Sequence, residues 1–273
     1  VVVTSCDGFV YALDKKDGSV RWRYDTGYPI VACPAVAGGN VYVGSSNGKF
    51  YSIRFADGTP DWIADGLDGY IESRPAIDGR RAYIGTWGAM FYAIDRRTGE
   101  KVWKFDTGRG RYFSPGACWP VVLPYRKDGK SSEQVIVLSS DYFVRAFNPE
   151  DGKILWASDE AKGRESLGFS PDGKTMYIKG IKNNITAVDV SKGSYTPLWN
   201  TLMPYESNFM ETPEEYVFIP PEFGVVHAVR TDGSGIAWSH KVSHSAVTSL
   251  KNAGDHRLIV MTMDGTVTCL AYP

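Results

Sequence analysis

The sequence predicts an all-β protein, a seven-bladed β-propeller of four-stranded antiparallel blades. Three observations predict it. A unit carrying one tryptophan recurs with a period near 40 residues; short β-branched or aromatic runs lie between turn residues; and no segment longer than about ten residues carries a helical apolar stripe.

The repeat can be followed from end to end. The first unit reads Asp7-Gly8-Phe9-Val10-Tyr11-Ala12-Leu13-Asp14, then Asp17-Gly18 and Trp22; the second reads Asn47-Gly48-Lys49-Phe50-Tyr51-Ser52-Ile53, then Asp57-Gly58 and Trp62. The third carries Ala93-Ile94-Asp95, Thr98-Gly99 and Trp103; the fourth Ala146-Phe147-Asn148, Asp151-Gly152 and Trp156. The fifth carries Ala187-Val188-Asp189, Gly193 and Trp199, and the sixth Ala228-Val229, Asp232-Gly233 and Trp238. The seventh opens with Asp264-Gly265-Thr266-Val267. Successive tryptophans are 40, 41, 53, 43 and 39 residues apart, the length of a propeller blade of four short strands.

Within each unit, one run reads as a strand: Val41 to Val43, Ala82 to Ile84, Val135 to Leu138, Met176 to Ile178, Val217 to Ile219 and Leu258 to Met261. The Asp-Gly pairs supply the positive φ of tight hairpins. The blades are expected near 1-27, 28-66, 67-108, 109-160, 161-202, 203-241 and 242-273, in a single domain spanning 1-273. The first and last blades read as incomplete, and about 20 residues before Val1 are expected to supply the missing strands, because bare sheet edges are avoided. The long third interval is assigned to Leu123 to Gln134, whose Pro124, Lys127, Asp128, Gly129 and serines read as a surface loop.

Composition narrows the function classes. With 30 Lys and Arg against 31 Asp and Glu, the net charge is −1, and no basic footprint for nucleic acid is present. No apolar run approaches the roughly 20 residues of a membrane-spanning helix. Cys6, Cys33, Cys118 and Cys269 form no metal-ligand spacing; Cys33 and Cys118 are expected to be buried free thiols. His240 and His244 follow Trp238 at a strand end, and in extended chain they stand too far apart for one metal. No nucleophile elbow, phosphate-binding loop or dinucleotide fingerprint is found. No cofactor, metal or catalytic residue is expected.

Ala12-x-Asp14-x-x-Asp17-Gly18-x-x-x-Trp22 and Ala93-x-Asp95-x-x-Thr98-Gly99-x-x-x-Trp103 resemble the tryptophan-docking motif of the pyrroloquinoline-quinone-type propeller repeat. The resemblance covers essentially the whole chain. It implies that Trp22, Trp62, Trp103, Trp156, Trp199 and Trp238 pack between blades against small residues, as structural rather than functional groups. The family's dehydrogenases often carry adjacent cysteines and a calcium site, and no Cys-Cys pair occurs here. Its non-enzymatic members include the propeller lipoprotein of the outer-membrane β-barrel assembly machinery. That relative has eight blades, and seven are counted here, which leaves the partner open.

A binding face is expected where the loops from each outer strand to the next inner strand gather. Those loops hold Tyr28, Tyr70, Glu72, Arg74, Arg109, Arg111, Tyr112, Trp119, Arg164, Glu165, Tyr205, Glu206, Asn208, Phe209 and His244, and Tyr, Trp and Arg are the usual anchors of protein interfaces. The resemblance implies a protein partner and a place in the periplasm or cell envelope, with an upstream domain or lipid anchor outside this sequence. The alternatives are an accessory recognition domain of a longer enzyme, such as a phosphoesterase or kinase, and a small-molecule or carbohydrate binder.

Overall fold

The computed structural model describes residues 1-108, 119-203, 210-213, 215-220 and 224-273, without the side chains of 164-166. It is a β-propeller of seven antiparallel sheets, and the described residues contain no helix. The first sheet is β1 (Val2–Thr4), β2 (Phe9–Leu13) and β3 (Val20–Asp25). The second is β4 (Ala35–Ala37), β5 (Asn40–Gly44), β6 (Phe50–Arg54) and β7 (Pro60–Ala64), and the third β8 (Ala76–Ile77), β9 (Arg81–Gly85), β10 (Met90–Asp95) and β11 (Lys101–Asp106). The fourth is β12 (Val121–Lys127), β13 (Lys130–Leu138), β14 (Val144–Phe147) and β15 (Ile154–Ser158). The fifth is β16 (Gly163–Phe169), β17 (Thr175–Gly180), β18 (Asn184–Asp189) and β19 (Thr196–Leu202). The sixth is β20 (Tyr216–Ile219), β21 (Val225–Arg230) and β22 (Ile236–Lys241), and the seventh β23 (Val247–Gly254), β24 (Arg257–Thr262) and β25 (Val267–Ala271). Strands pair in chain order within every sheet. The residues form two compact units, Val1–Leu123 with Glu133–Asp141 and Arg145–Leu155, and Pro124–Ser132 with Tyr142–Val144 and Trp156–Pro273.

The continuous apolar runs have a direct cause. Side chains alternate faces along a strand, and both faces of an inner strand meet a neighbouring sheet. In the first unit, Val41 and Val43 of β5 pack with Val10, Ile30 and Tyr51, while Tyr42 between them packs with Ala82, Ile84 and Tyr92. Tyr83 turns the other way, to Val135, Val137 and Phe147. In the second unit, Val217 and Ile219 join Tyr177 and Ile185, and Phe218 joins Val226, Leu258 and Val260.

The repeat tryptophans lie at the sheet edges. The indole Nε1–H groups of Trp22, Trp62 and Trp103 donate to the carbonyls of Phe55, Arg96 and Pro149 at 2.8 Å, and that of Trp199 donates to Thr231 at 2.9 Å. Each ring lies flat on the next hairpin's glycine. A Cβ built on Gly58, Gly99, Gly152 or Gly233 would stand 2.6–2.7 Å from Trp22, Trp62, Trp103 or Trp199 respectively. The Trp156 ring meets that of Tyr195 at 6.0 Å. Trp238 packs against Tyr216 and Phe218, but its buried Nε1–H has no acceptor among the described residues.

Two expectations need correction. Leu123 to Gln134 is not a surface loop: most of it is a hairpin, with β12 and β13 running into a turn where Asp128 and Gly129 both have positive φ. The hairpin is anchored. Arg126 N–H donates to the Ser191 carbonyl at 2.8 Å, and the Tyr125 ring covers Gly193, as tryptophans cover the other turn glycines. Cys33 is exposed rather than buried, because it precedes β4 in the loop instead of entering the strand; Cys118 lies outside the described residues.

Candidate functional site

The candidate site is a strip in the first unit where two kinds of loop interlock. One kind is the turn that leads into the strand carrying the repeat's central small residue; the other joins an outer strand to the next blade. Four residues before the repeat's central small residue, the turn leading into its strand needs positive φ: Gly8, Gly48, Gly224 and Gly265 supply it, and Ala89, Tyr142 and Asn183 adopt it without being glycine. In the first unit these turns bond to the neighbouring loops in succession. Ile30 N–H donates to the Ser5 carbonyl, Ser46 N–H to Pro29 and Gly88 N–H to Asp68, each at 3.1 Å. Trp87 N–H donates to Tyr70 at 3.0 Å, and Ile71 N–H to Ser45 at 3.4 Å. The loops that hold Tyr28 and Tyr70 and the turn that holds Trp87 are therefore one hydrogen-bonded strip.

Three rings stand out of this strip: Tyr28 is 57 % exposed, Tyr70 58 % and Trp87 40 %. Trp87 is fixed, since its Nε1–H donates to the Glu72 carboxylate at 2.8 Å. Arg74 lies on the Trp119 ring, 5.8 Å from its centre. Of the expected binding residues, the structure thus pairs Arg74 with Trp119 and places Tyr70 and Glu72 around Trp87. Trp87 was missed by the sequence reading. Its signal is positional: it occupies the turn place where the first two blades have Cys6 and Ser46.

Phenols brace the turns from below. Tyr11 donates to Asp7 and Tyr92 to Asp68, both at 2.6 Å. Burial, followed by the bond to Asp68, pushes the Tyr92 phenol up to about 12. The bond from Tyr11 holds the Asp7 carboxyl below its ordinary range.

His244, in the second unit, is exposed beside Ser243, whose hydroxyl donates to Asp264 at 2.6 Å. Arg109, Arg111, Tyr112, Tyr205, Glu206, Asn208 and Phe209 lie outside the described residues, as do the side chains of Arg164 and Glu165.

The fold is a seven-bladed propeller of tryptophan-bearing repeats, with an aromatic loop strip in its first unit. The chain belongs to the pyrroloquinoline-quinone-like propeller family: the family model described as outer membrane protein assembly factor BamB matches residues 1–114 and 71–201. No curated protein sequence matches the chain. Among solved structures, BamB from Moraxella catarrhalis is similar with a TM-score of 0.62 at 17 % identity, over 99 % of this chain and 91 % of that one. The computationally designed Ika8 protein gives 0.76 at 14 %, over 99 % and 80 %. The quinohemoprotein alcohol dehydrogenase ADHIIG from Pseudomonas putida HK5 gives 0.73 at 15 %, over 96 % of this chain and 60 % of the enzyme. At these identities the structural likeness speaks for the fold.

The described cysteines stand apart from one another. Cys6 and Cys33 are exposed thiols in separate loops, and Cys269 is exposed on β25.

Proposed function

We propose that the chain is a non-catalytic protein-interaction scaffold of the bacterial cell envelope that binds its partner through the loop rim. The observation that carries this is the exposed aromatic trio of Tyr28, Tyr70 and Trp87, with the Trp87 ring fixed by its bond to Glu72. Aromatic rings are the usual anchors of protein interfaces, and one held in place before binding gives contact area at little entropic cost. The family match supports the envelope setting, since outer-membrane assembly is what its description names. The likeness to the alcohol dehydrogenase keeps a second reading in view, an accessory propeller of a longer enzyme.

The test is site-specific photo-crosslinking in the native cell. A photoreactive residue replaces Tyr70 or, as a control on the opposite turns, Arg97, and adducts are identified by mass spectrometry. Adducts with another protein from position 70 but not 97 support the scaffold. Adducts only with a further domain of the same chain favour the accessory reading. Equal labelling from both positions removes the rim as the interface.

A further inference from the structure

Independently of the interface reading, we infer that a cavity in the second unit binds an alkylammonium ion about the size of a lysine side chain, its charged head held by Glu215 and Asp255 and its chain laid on the Tyr272 ring. The cavity has a volume of about 360 Å³. Its wall is built from turns of three sheets: Pro171 between β16 and β17, Pro213 and Glu215 ahead of β20, Asp255 and His256 between β23 and β24, and Tyr272 after β25. Bonds lace these turns together. The Thr212 hydroxyl donates to the Phe169 carbonyl, Asn252 N–H donates to the Glu211 carboxylate at 3.3 Å, and Tyr272 N–H donates to the His256 carbonyl at 2.9 Å. The Tyr272 ring is wedged as well, 4.8 Å from the Phe218 ring and 5.3 Å from that of His256. A wall ordered in advance lowers the entropic cost of binding.

The sign of the wall selects a cation. Among the described residues it contains two carboxylates, Glu215 and Asp255, and no lysine or arginine. Both are exposed, and neither has a hydrogen-bond or ion-pair partner among the described residues. The lysines in the adjoining segments are balanced by acids of their own: Lys251 pairs with Glu211, and Lys174 with Asp172 at 3.0 Å. Arg257, next in the chain after His256, lies outside the wall. Burial, then the charge of Glu215, raises the Tyr272 phenol above its ordinary value, which puts that carboxylate near the ring. The described residues bring together no three His, Cys, Asp or Glu side chains that could hold a metal ion, so the cation that fits is organic. Ring faces attract ammonium groups, and an alkyl stem lies well on apolar rings while its charged head stays at the surface. Small-molecule pockets run from about 300 to 1,000 Å³, and a cavity at the low end suits one short chain.

Isothermal titration calorimetry on the whole chain tests this with four probes: pentylamine, its neutral counterpart pentanol, a glycine-flanked lysine peptide with blocked ends, and calcium chloride. Pentylamine should bind, more weakly as salt rises, and pentanol should not. Glu215→Gln and Asp255→Asn should each weaken pentylamine about two- to fivefold, the loss of one exposed ion pair, and the double variant should abolish measurable binding. Neither carboxylate bonds to its turn, so these variants keep the fold. Tyr272→Leu should weaken binding without altering its salt dependence; if it unfolds, the two charge variants carry the test. Glu133→Gln on β13, outside the cavity, should change nothing. Tighter binding of the peptide than of pentylamine identifies the ligand as the lysine of a protein segment, and the reverse order identifies a free amine; either supports the site. Equal binding of pentanol, displacement of pentylamine by calcium at lower concentration, unchanged binding in the double variant, or no binding of either amine overturns it.

Discussion

Gly99 shows how one missing Cβ shapes the blade. Its φ is +77°, and an added Cβ would stand 2.7 Å from the Trp62 ring. Gly129 has a similar φ, +75°, with nothing within 4 Å of the same position. Left-handed backbone costs a non-glycine residue about 1–2 kcal/mol. Gly129→Ala should therefore lose that amount alone, and Gly99→Ala that amount plus the displacement of a packed indole. Urea unfolding of both variants measures the difference; equal losses would mean that the ring shifts freely. Ala89 poses the converse case, with φ at 66° where the first two blades have glycine. Ala89→Gly should relieve the strain and return part of it as backbone entropy, a net stabilisation of up to about 1 kcal/mol.

Among the elements, the tryptophan-bearing outer strands differ in one measurable respect. Trp62 donates its indole N–H to Arg96, whereas the buried N–H of Trp238 has no acceptor among the described residues. Trp→Phe removes the donor and some ring area in both. At Trp62 it also removes a hydrogen bond with a net value of about 0.5–1.5 kcal/mol, while at Trp238 it removes an unsatisfied donor. Trp62→Phe should thus lower the unfolding midpoint more than Trp238→Phe. A larger loss at Trp238 would show that its indole finds an acceptor in solution.

These strands were legible in the sequence because a large ring, a turn glycine and a small central residue recur at fixed offsets. The β12–β13 hairpin was not, although Asp128-Gly129 is a strong hairpin signal. The polar residues around it weighed toward a loop, and its anchor, Tyr125 on Gly193, joins positions distant in sequence. The rim was half legible for a similar reason. Composition marked Tyr28, Tyr70, Glu72 and Arg74, but only the bonds between loops reveal that Trp87 stands with them.

At the scale of the whole molecule, the same turn chemistry sets the response to acid, through two kinds of group with distinct pH windows. His227 on β21 is partly buried, with Nδ1 2.6 Å from the Ser239 hydroxyl, and burial lowers its pKa from 6.5. Below pH 6.5 the unfolded chain binds this proton more readily than the folded one. Stability therefore falls as pH drops from there toward the depressed folded value, below which the loss is complete. The turn carboxylates act lower. The Ser170 hydroxyl, then the Lys174 N–H, hold Asp172 at about 2, and the hydroxyls of Ser243 and Thr262 hold Asp264 well below its ordinary range. Their stabilisation is present above the unfolded value of 3.8 and is lost as pH falls through the folded values. Melting temperature against pH should accordingly decline in two stages, a shallow one below about pH 6.5 and a steeper one below about pH 4. His227→Asn should abolish the first stage and leave the second. Asp264→Asn should reduce the second and leave the first, because that carboxylate is ionised in both folded and unfolded chains throughout the histidine's window. A single-stage decline unaffected by His227→Asn would mean that the imidazole is as accessible to protons in the folded chain as in the unfolded one.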